Sequence, residues 1–284
     1  MALLMVARRP GAAISRWAVL AVFIVLCAFP FAWATFTMFK ADADLYTVGH
    51  VPFLYNSAPT FEHVRVLFAD TAFLTFVRNS VEIGVIVVVI TLAISVPAAY
   101  AIARLTGQWG GKLAMAVFIF YLVPPTLLFL PLSRIVADLG LQDTIWALVV
   151  VYPTLTAPFS TWLLVGFFRS IPRDIEEQAM VDGYSRAGAL LRTVLPLAVP
   201  GLFTIVIFTF AFTMNDFIYA VAFISSSDNM TVSAGVPTEL IRGDVFFWQS
   251  LMAAAVLVAI PVALAYNFFL DRFVQGLSLG AVKG

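Results

Sequence analysis

Six apolar runs, each long enough to cross a lipid bilayer, divide the 284-residue chain: roughly 17–39, 77–103, 113–136, 144–168, 199–224 and 248–270. About 20 consecutive apolar residues make a membrane-spanning helix. The pattern therefore predicts an all-α, polytopic membrane protein with six transmembrane helices. Composition agrees: 62% of residues are hydrophobic and 11% charged, whereas soluble domains carry about a quarter charged residues. The first run follows Arg8, Arg9 and Arg16. Its apolar part, about 22 residues, is longer than the h-region of a cleaved signal peptide, so it reads as a retained span. No repeat or low-complexity tract marks a second domain, and residues 1–284 read as one transmembrane domain.

The formal net charge is zero, which implies neither nucleic acid nor an acidic substrate as partner. The one cysteine, Cys27, lies inside the first run and implies no disulfide framework and no metal site. Basic residues set the orientation. With the N-terminus inside, 11 of the 16 Lys and Arg fall on inner segments, leaving Lys40, Arg65, Arg78, Arg134 and Arg242 outside or near the outer face. The positive-inside rule then places both termini in the cytoplasm. Thr60 in the first outer loop is expected to open a short surface helix ending near Asp70.

The inner segment from Arg169 to Ala198 stands apart, a polar, helix-forming insert between two apolar runs. Pro172 sets the chain's entry, and Asp174, three residues before Glu177, is expected to cap a first helix. Gly183 should end that helix with a positive φ. Ser185 should cap a second helix, which stops before Leu195-Pro196 as helices do ahead of proline. The expected result is helix, glycine turn, helix along the membrane surface. From spacing alone this could be an amphipathic anchor or a docking site.

The order Glu177-Gln178-Ala179, three residues, Gly183, nine residues, Thr193-Val194-Leu195-Pro196 resembles the coupling motif of ABC-importer permeases, with Gln178 and Thr193 departing from it. Asn215-Asp216-Phe217 in the fifth run, Asn79-Ser80 opening the second, and the ending from Gly276 to Gly284 are similar to the second permease of maltose-type carbohydrate importers. The resemblance implies that Glu177, Ala179, Asp182, Gly183, Leu195 and Pro196 contact an ATPase. It implies that Gly280, Ala281, Val282 and Lys283, in a cytoplasmic tail over 271–284, reach between the ATPase subunits. The implied partners are a second, homologous permease subunit, two ATP-binding subunits, an extracytoplasmic sugar-binding protein, a carbohydrate substrate and membrane lipid, in a bacterial inner membrane. The chain contains no G-x-x-x-x-G-K-[ST] phosphate loop, so ATP and magnesium would be bound by the partner ATPases, with no cofactor or metal in this chain.

Ionisable residues inside a span are costly unless paired or facing water. Glu82, four residues after Arg78, fits an i,i+4 ion pair or a pathway position. Asn215, Asp216 and Tyr219 fit either the solute path or helix packing. Arg134 would snorkel outward. Tyr152, Trp162, Phe217 and Tyr219 could stack on a sugar or simply pack. Seven prolines within or at the edges of the runs give a bending gate or static kinks. Three rival readings compete with this one. An intramembrane enzyme lacks a base, because His50 and His63 both lie in an outer loop and no G-x-S-x-G or H-E-x-x-H occurs. An ion-driven secondary transporter would explain the spans and Asp216 but not the insert or the tail, and a permease of the same superfamily for a non-sugar solute lacks a reason for the tail.

Overall fold

The computed structural model describes residues 10–281. In chain order the helices are α1 (Pro10–Thr37), α2 (Asp42–Tyr46), α3 (Glu62–Ala69), α4 (Phe73–Tyr100), α5 (Gly110–Tyr121), α6 (Pro125–Asp138), α7 (Ile145–Ser170) and α8 (Arg173–Val181). They continue as α9 (Arg186–Ala189), α10 (Leu195–Leu197), α11 (Val199–Asn215), α12 (Ile218–Phe223), α13 (Val232–Leu240) and α14 (Trp248–Ala281). One-turn π-helices follow α4 at Ala101–Leu105 and α9 at Leu190–Val194. The only strands among the described residues are β1 (Ile241–Arg242) and β2 (Val245–Phe246), antiparallel with Ile241 opposite Phe246. Gly243, at φ +61°, closes their turn.

The chain forms two compact units, one of the residues up to Thr71 with Leu240–Ile260, the other of Ala72–Glu239 with the chain from Pro261. In the first, Lys40 is buried and its Nζ donates to the carbonyls of Pro52 (2.6 Å) and Leu54 (3.0 Å), so the ammonium is satisfied by backbone. The short helix expected after Thr60 is α3, and the Thr60 hydroxyl accepts from the Glu62 amide at 3.1 Å. In the second unit α4, α5, α7 and α11 pack together. Buried hydroxyls join them: Thr91 and Thr156 share a 2.8 Å bond between α4 and α7, and Ser95 donates to the Ala157 carbonyl at 3.3 Å. Small polar residues are what membrane helices use where no hydrophobic force drives them together.

Among the described residues, three helical stretches are long and apolar enough to cross a bilayer: Arg16–Thr37, Phe73–Leu105 and Ile145–Ser170. Two further candidates are bent pairs, Gly107–Tyr121 with Pro125–Asp138 at 84° and Arg186–Leu197 with Val199–Asn215 at 77°, and Trp248–Leu264 is a shorter apolar helix. The all-α membrane class stands, but the third run is not one rod. Pro124 is extended (ψ 128°) and Pro125 opens α6, because a proline pushes the residue before it out of the α region. The fifth run breaks as well: α11 ends at Asn215, Asp216 is extended (ψ 123°), and α12 starts afresh. Pro97, Pro131, Pro153, Pro158 and Pro261 instead lie inside continuous helices. The backbone is helical through Gly276 to Ala281, since extending an existing helix adds one bond for each residue fixed. Val282 and Lys283 lie outside the described residues.

Candidate functional site

The polar insert folds as helix, turn, helix, with two departures from the sequence expectation. Pro172, extended at φ −56° and ψ 138°, is the cap position of α8, and no side chain caps it. Asp174 therefore lies inside the first turn with Glu176, where negative charge suits the helix dipole. At the far end the turn is a Schellman motif. The Gly183 amide donates to the Met180 carbonyl and the Tyr184 amide to the Ala179 carbonyl, each at 3.1 Å. Gly183 has φ +94°, a conformation that side chains disfavour. Ser185 caps α9 by accepting from the Gly188 amide at 3.2 Å.

The second helix does not stop before Leu195-Pro196. It runs through the π turn Leu190–Val194 into α10, and the break falls at Ala198. The π turn shifts the hydrogen-bond phase just ahead of Pro196. The missing proline N–H thus falls at the start of a new α segment, where a donor would be orphaned anyway. Val194 and Ala198 are buried with Tyr100, Ala103, Ala114, Phe168 and Ile171, anchoring the insert in the core of its unit.

Of the two adjacent acids, Glu176 faces inward and Glu177 outward. Glu176 Oε2 lies 3.1 Å from Arg104 Nε, an ion pair whose angle is not that of a hydrogen bond. The side chains are 8% and 6% exposed. The Tyr100 hydroxyl donates to Glu176 Oε1, and an Arg104 guanidinium nitrogen donates to the Ile171 carbonyl at 2.8 Å. Arg104 lies in the π turn that ends α4. There Gly110 is required, because a Cβ would sit 2.5 Å from the Ile102 carbonyl oxygen and 3.0 Å from Arg169. No pairing for Glu176 was legible from spacing, because its tyrosine partner stands 76 residues away. Of the motif residues, Ala179 is buried and Leu195 half-buried, while Glu177, Asp182, Gly183 and Pro196 are exposed. Beside them stand exposed apolar side chains, with Val181 at 86%, and Tyr184 and Leu191 also exposed.

The fifth-run residues separate. Asp216 Oδ2 accepts from the Tyr152 hydroxyl (2.9 Å) and from the amides of Tyr219 (3.1 Å) and Ala220 (3.3 Å). Its carbonyl accepts from the Ser233 hydroxyl at 2.5 Å. It therefore caps α12 and ties it to α7. Tyr219 is buried and donates to the Pro125 carbonyl at 2.6 Å. Asn215 is exposed and donates within its own helix, to the Ala211 carbonyl. Glu82 makes the i,i+4 pair with Arg78 at 4.0 Å, both partly to fully exposed, and Arg134 pairs with Asp138 at 3.1 Å. Trp162 joins Phe118, Phe159, Tyr121 and Phe208 in one ring cluster across α5, α7 and α11, which spacing in the sequence did not reveal.

A further junction, also unread in the sequence, is Asp143. Its carboxylate accepts from the amides of Ser225 (2.8 Å) and Ser226 (2.7 Å) and from the Ser226 hydroxyl, and its carbonyl from Asn229 at 2.7 Å. The Ser226 hydroxyl first, then the two amides, hold the carboxyl below the ordinary aspartate range. No group of three or more His, Cys, Asp or Glu among the described residues is placed to hold a metal.

Residues 94–279 match the family described as binding-protein-dependent transport system inner membrane component. The chain is 35% identical over 270 residues to the sulfoquinovosyl glycerol transport system permease protein of Agrobacterium fabrum, covering 95% of this chain and 93% of that one. It is 33% identical over 264 residues to the trehalose/maltose transport system permease protein of Thermococcus litoralis, covering 92% and 93%. In fold it is similar to a chain of a bacterial ABC transporter involved in the import of the acidic polysaccharide alginate. That match has a TM-score of 0.77 at 21% identity, over 92% of this chain and 96% of the other.

Proposed function

The chain belongs to the family of binding-protein-dependent transport system inner membrane components, and on that footing we propose that it forms half of a carbohydrate import pathway powered by partner ATPases. It is a transport subunit and not an enzyme. Its partners are a second permease of the same kind, two ATP-binding subunits and an extracytoplasmic sugar-binding protein. Both termini lie in the cytoplasm of a bacterial cell, which puts the insert on the side where ATP is. The sugar class rests on relatives whose names carry sulfoquinovosyl glycerol and trehalose/maltose.

The observation that carries the coupling role is the insert itself. It is capped at Ser185, turned at Gly183 and rooted in the core through Val194, Ala198 and Glu176, yet it leaves Val181, Tyr184 and Leu191 in the open beside Glu177 and Asp182. A rigid element with exposed apolar side chains ringed by charge has the composition of a docking knob. Glu177, Ala179, Asp182, Gly183, Leu195 and Pro196 form it, and Gly280 to Lys283 add a second contact with the ATPases. On the solute side, Asp216 holds α12 in place and so shapes the path rather than binding the sugar itself. The test is reconstitution: the chain in liposomes with its second permease, its ATPase and the binding protein should import a labelled di- or oligosaccharide only when ATP is inside and binding protein outside. Uptake driven by an ion gradient without ATP would overturn the reading.

A further inference from the structure

The buried charge at the root of the insert does not belong to the docking surface, and its arrangement has a consequence. Arg104 and Glu176 come from separate elements, α8 and the π turn after α4. Two charges withdrawn from water repay their desolvation only with partners at hand; here the charges face each other at 3.1 Å, without a hydrogen bond from Arg104 Nε, and each takes one further partner. The Tyr100 hydroxyl takes the second Glu176 oxygen, and the Ile171 carbonyl takes the far side of the guanidinium. Ile171 immediately precedes Pro172, where the insert begins, so Arg104 grips both the entry to α8 and its first turn. One π turn, Ala101–Leu105, carries Arg104, and a second, Leu190–Val194, lies further along the insert. Such turns are rare and cluster where function tolerates a weaker ladder. Apolar packing around the trio is continuous, with Tyr100 edge-on to Phe168 at 6.2 Å.

We propose that Tyr100, Arg104 and Glu176 are positioning residues forming a latch that binds α8 to the end of α4, so that displacement of the docked insert moves the spanning helix α4 rather than being lost in the loop. The latch thus sets how tightly ATP hydrolysis is tied to solute movement. It rests on the docking role proposed for the insert. Glu177 and the exposed apolar residues meet the partner, while Glu176 passes the displacement inward. The two neighbouring acids divide these tasks because successive helix positions point about 100° apart.

The test uses the assembled complex in liposomes, with Cys27 replaced. The double variant Glu176→Gln/Arg104→Gln removes both charges at once and leaves no lone charge buried, and Tyr100→Phe removes one hydroxyl only. Three quantities are read: solute imported per ATP hydrolysed, the distance distribution between spin labels at Leu105 and Gln178, and crosslinking of the insert to the ATPase through a cysteine at Val181. The double variant should assemble, hydrolyse ATP and crosslink as the parent does. Its solute per ATP should fall about tenfold, the scale of an ordinary coupling between sites, and its Leu105–Gln178 distances should broaden. Tyr100→Phe should show the same change to a lesser degree. Parental solute per ATP with unchanged distances in a crosslinking double variant overturns the latch and leaves docking intact. Failure of every variant to assemble also overturns it, by making the trio purely structural. Absence of the crosslink in the unlatched and parent complexes alike overturns docking first, and the latch with it.

Discussion

Replacing Gly183 by alanine isolates the cost of one backbone angle. At φ +94° the residue lies in the left-handed half of conformational space, where an L side chain costs roughly 1–2 kcal/mol. A Cβ built there meets nothing within 4 Å, so no clash adds to the angle and the whole effect is strain. The strained turn carries the Gly183-to-Met180 and Tyr184-to-Ala179 bonds, each 3.1 Å. Its opening should rise by a factor of about 5–30, the range that 1–2 kcal/mol gives. Gly183→Asn should cost less, because asparagine tolerates this region, and Gly183→Val more. Gly111 supplies the control: its Cβ also meets nothing, but it lies in α5 without a positive φ. There alanine should stabilise by about 0.5–1 kcal/mol. The assay is amide hydrogen exchange of peptides covering 181–185 and 110–113 in nanodiscs. Equal exchange in the parent and Gly183→Ala, or the order Ala better than Asn, would refute the reasoning. Transport and binding-protein-stimulated ATP hydrolysis should fall together with the turn.

Asp216→Ala removes the cap of α12 and leaves the buried Tyr152 hydroxyl unpaired, which should cost about 3 kcal/mol of stability; uptake per assembled complex should stay near parental, and a selective loss of uptake with unchanged melting would refute the capping role. Gly110→Ala must displace the Ile102 carbonyl, 2.5 Å from the new Cβ, and should lower stability by about 2 kcal/mol, measured by thermal unfolding in detergent. Asp143 has a depressed carboxyl, so its contribution is present above the ordinary aspartate value and is lost as pH falls through its folded value. Asp143→Asn should therefore melt below the parent at neutral pH, with the gap closing below about pH 4; a gap independent of pH refutes this. Deleting Leu279 to Gly284 should leave assembly intact and lower the ATPase stimulation caused by loaded binding protein, and full stimulation would remove the tail from the interface.

What the sequence showed and what it hid follow from the range of the interactions involved. The spans at Phe73–Leu105 and Ile145–Ser170 were legible because twenty-odd apolar residues state their own environment. The turn at Gly183 was legible because its geometry is set within five residues. Which of Glu176 and Glu177 turns inward was not, since that depends on helix phase and on Arg104 and Tyr100, distant in sequence. The stop expected at Pro196 failed because a π turn, invisible to spacing, had already rephased the ladder. Asp174 lost its capping role to Pro172, whose fixed φ starts the helix two residues earlier, at Arg173. Pro124-Pro125 did announce a break inside the third run, but an apolar stretch read for length alone passes over it. For Asp216 both readings were open until Tyr152, Ser233 and the start of α12 were seen around it. Asp143 carried no local mark at all, because its partners lie in the loop after α12.

The central claim is that the insert is the surface on which an ATPase docks, and one crosslink tests it most directly. Val181, 86% exposed, is the most open apolar side chain of the insert. With Cys27 replaced and Val181→Cys introduced, the complex purified from its native membrane should crosslink through this position to the ATP-binding subunit, and not to the extracytoplasmic binding protein. A crosslink only to the binding protein, or none to the ATPase with nucleotide absent, bound or hydrolysed, would contradict the account.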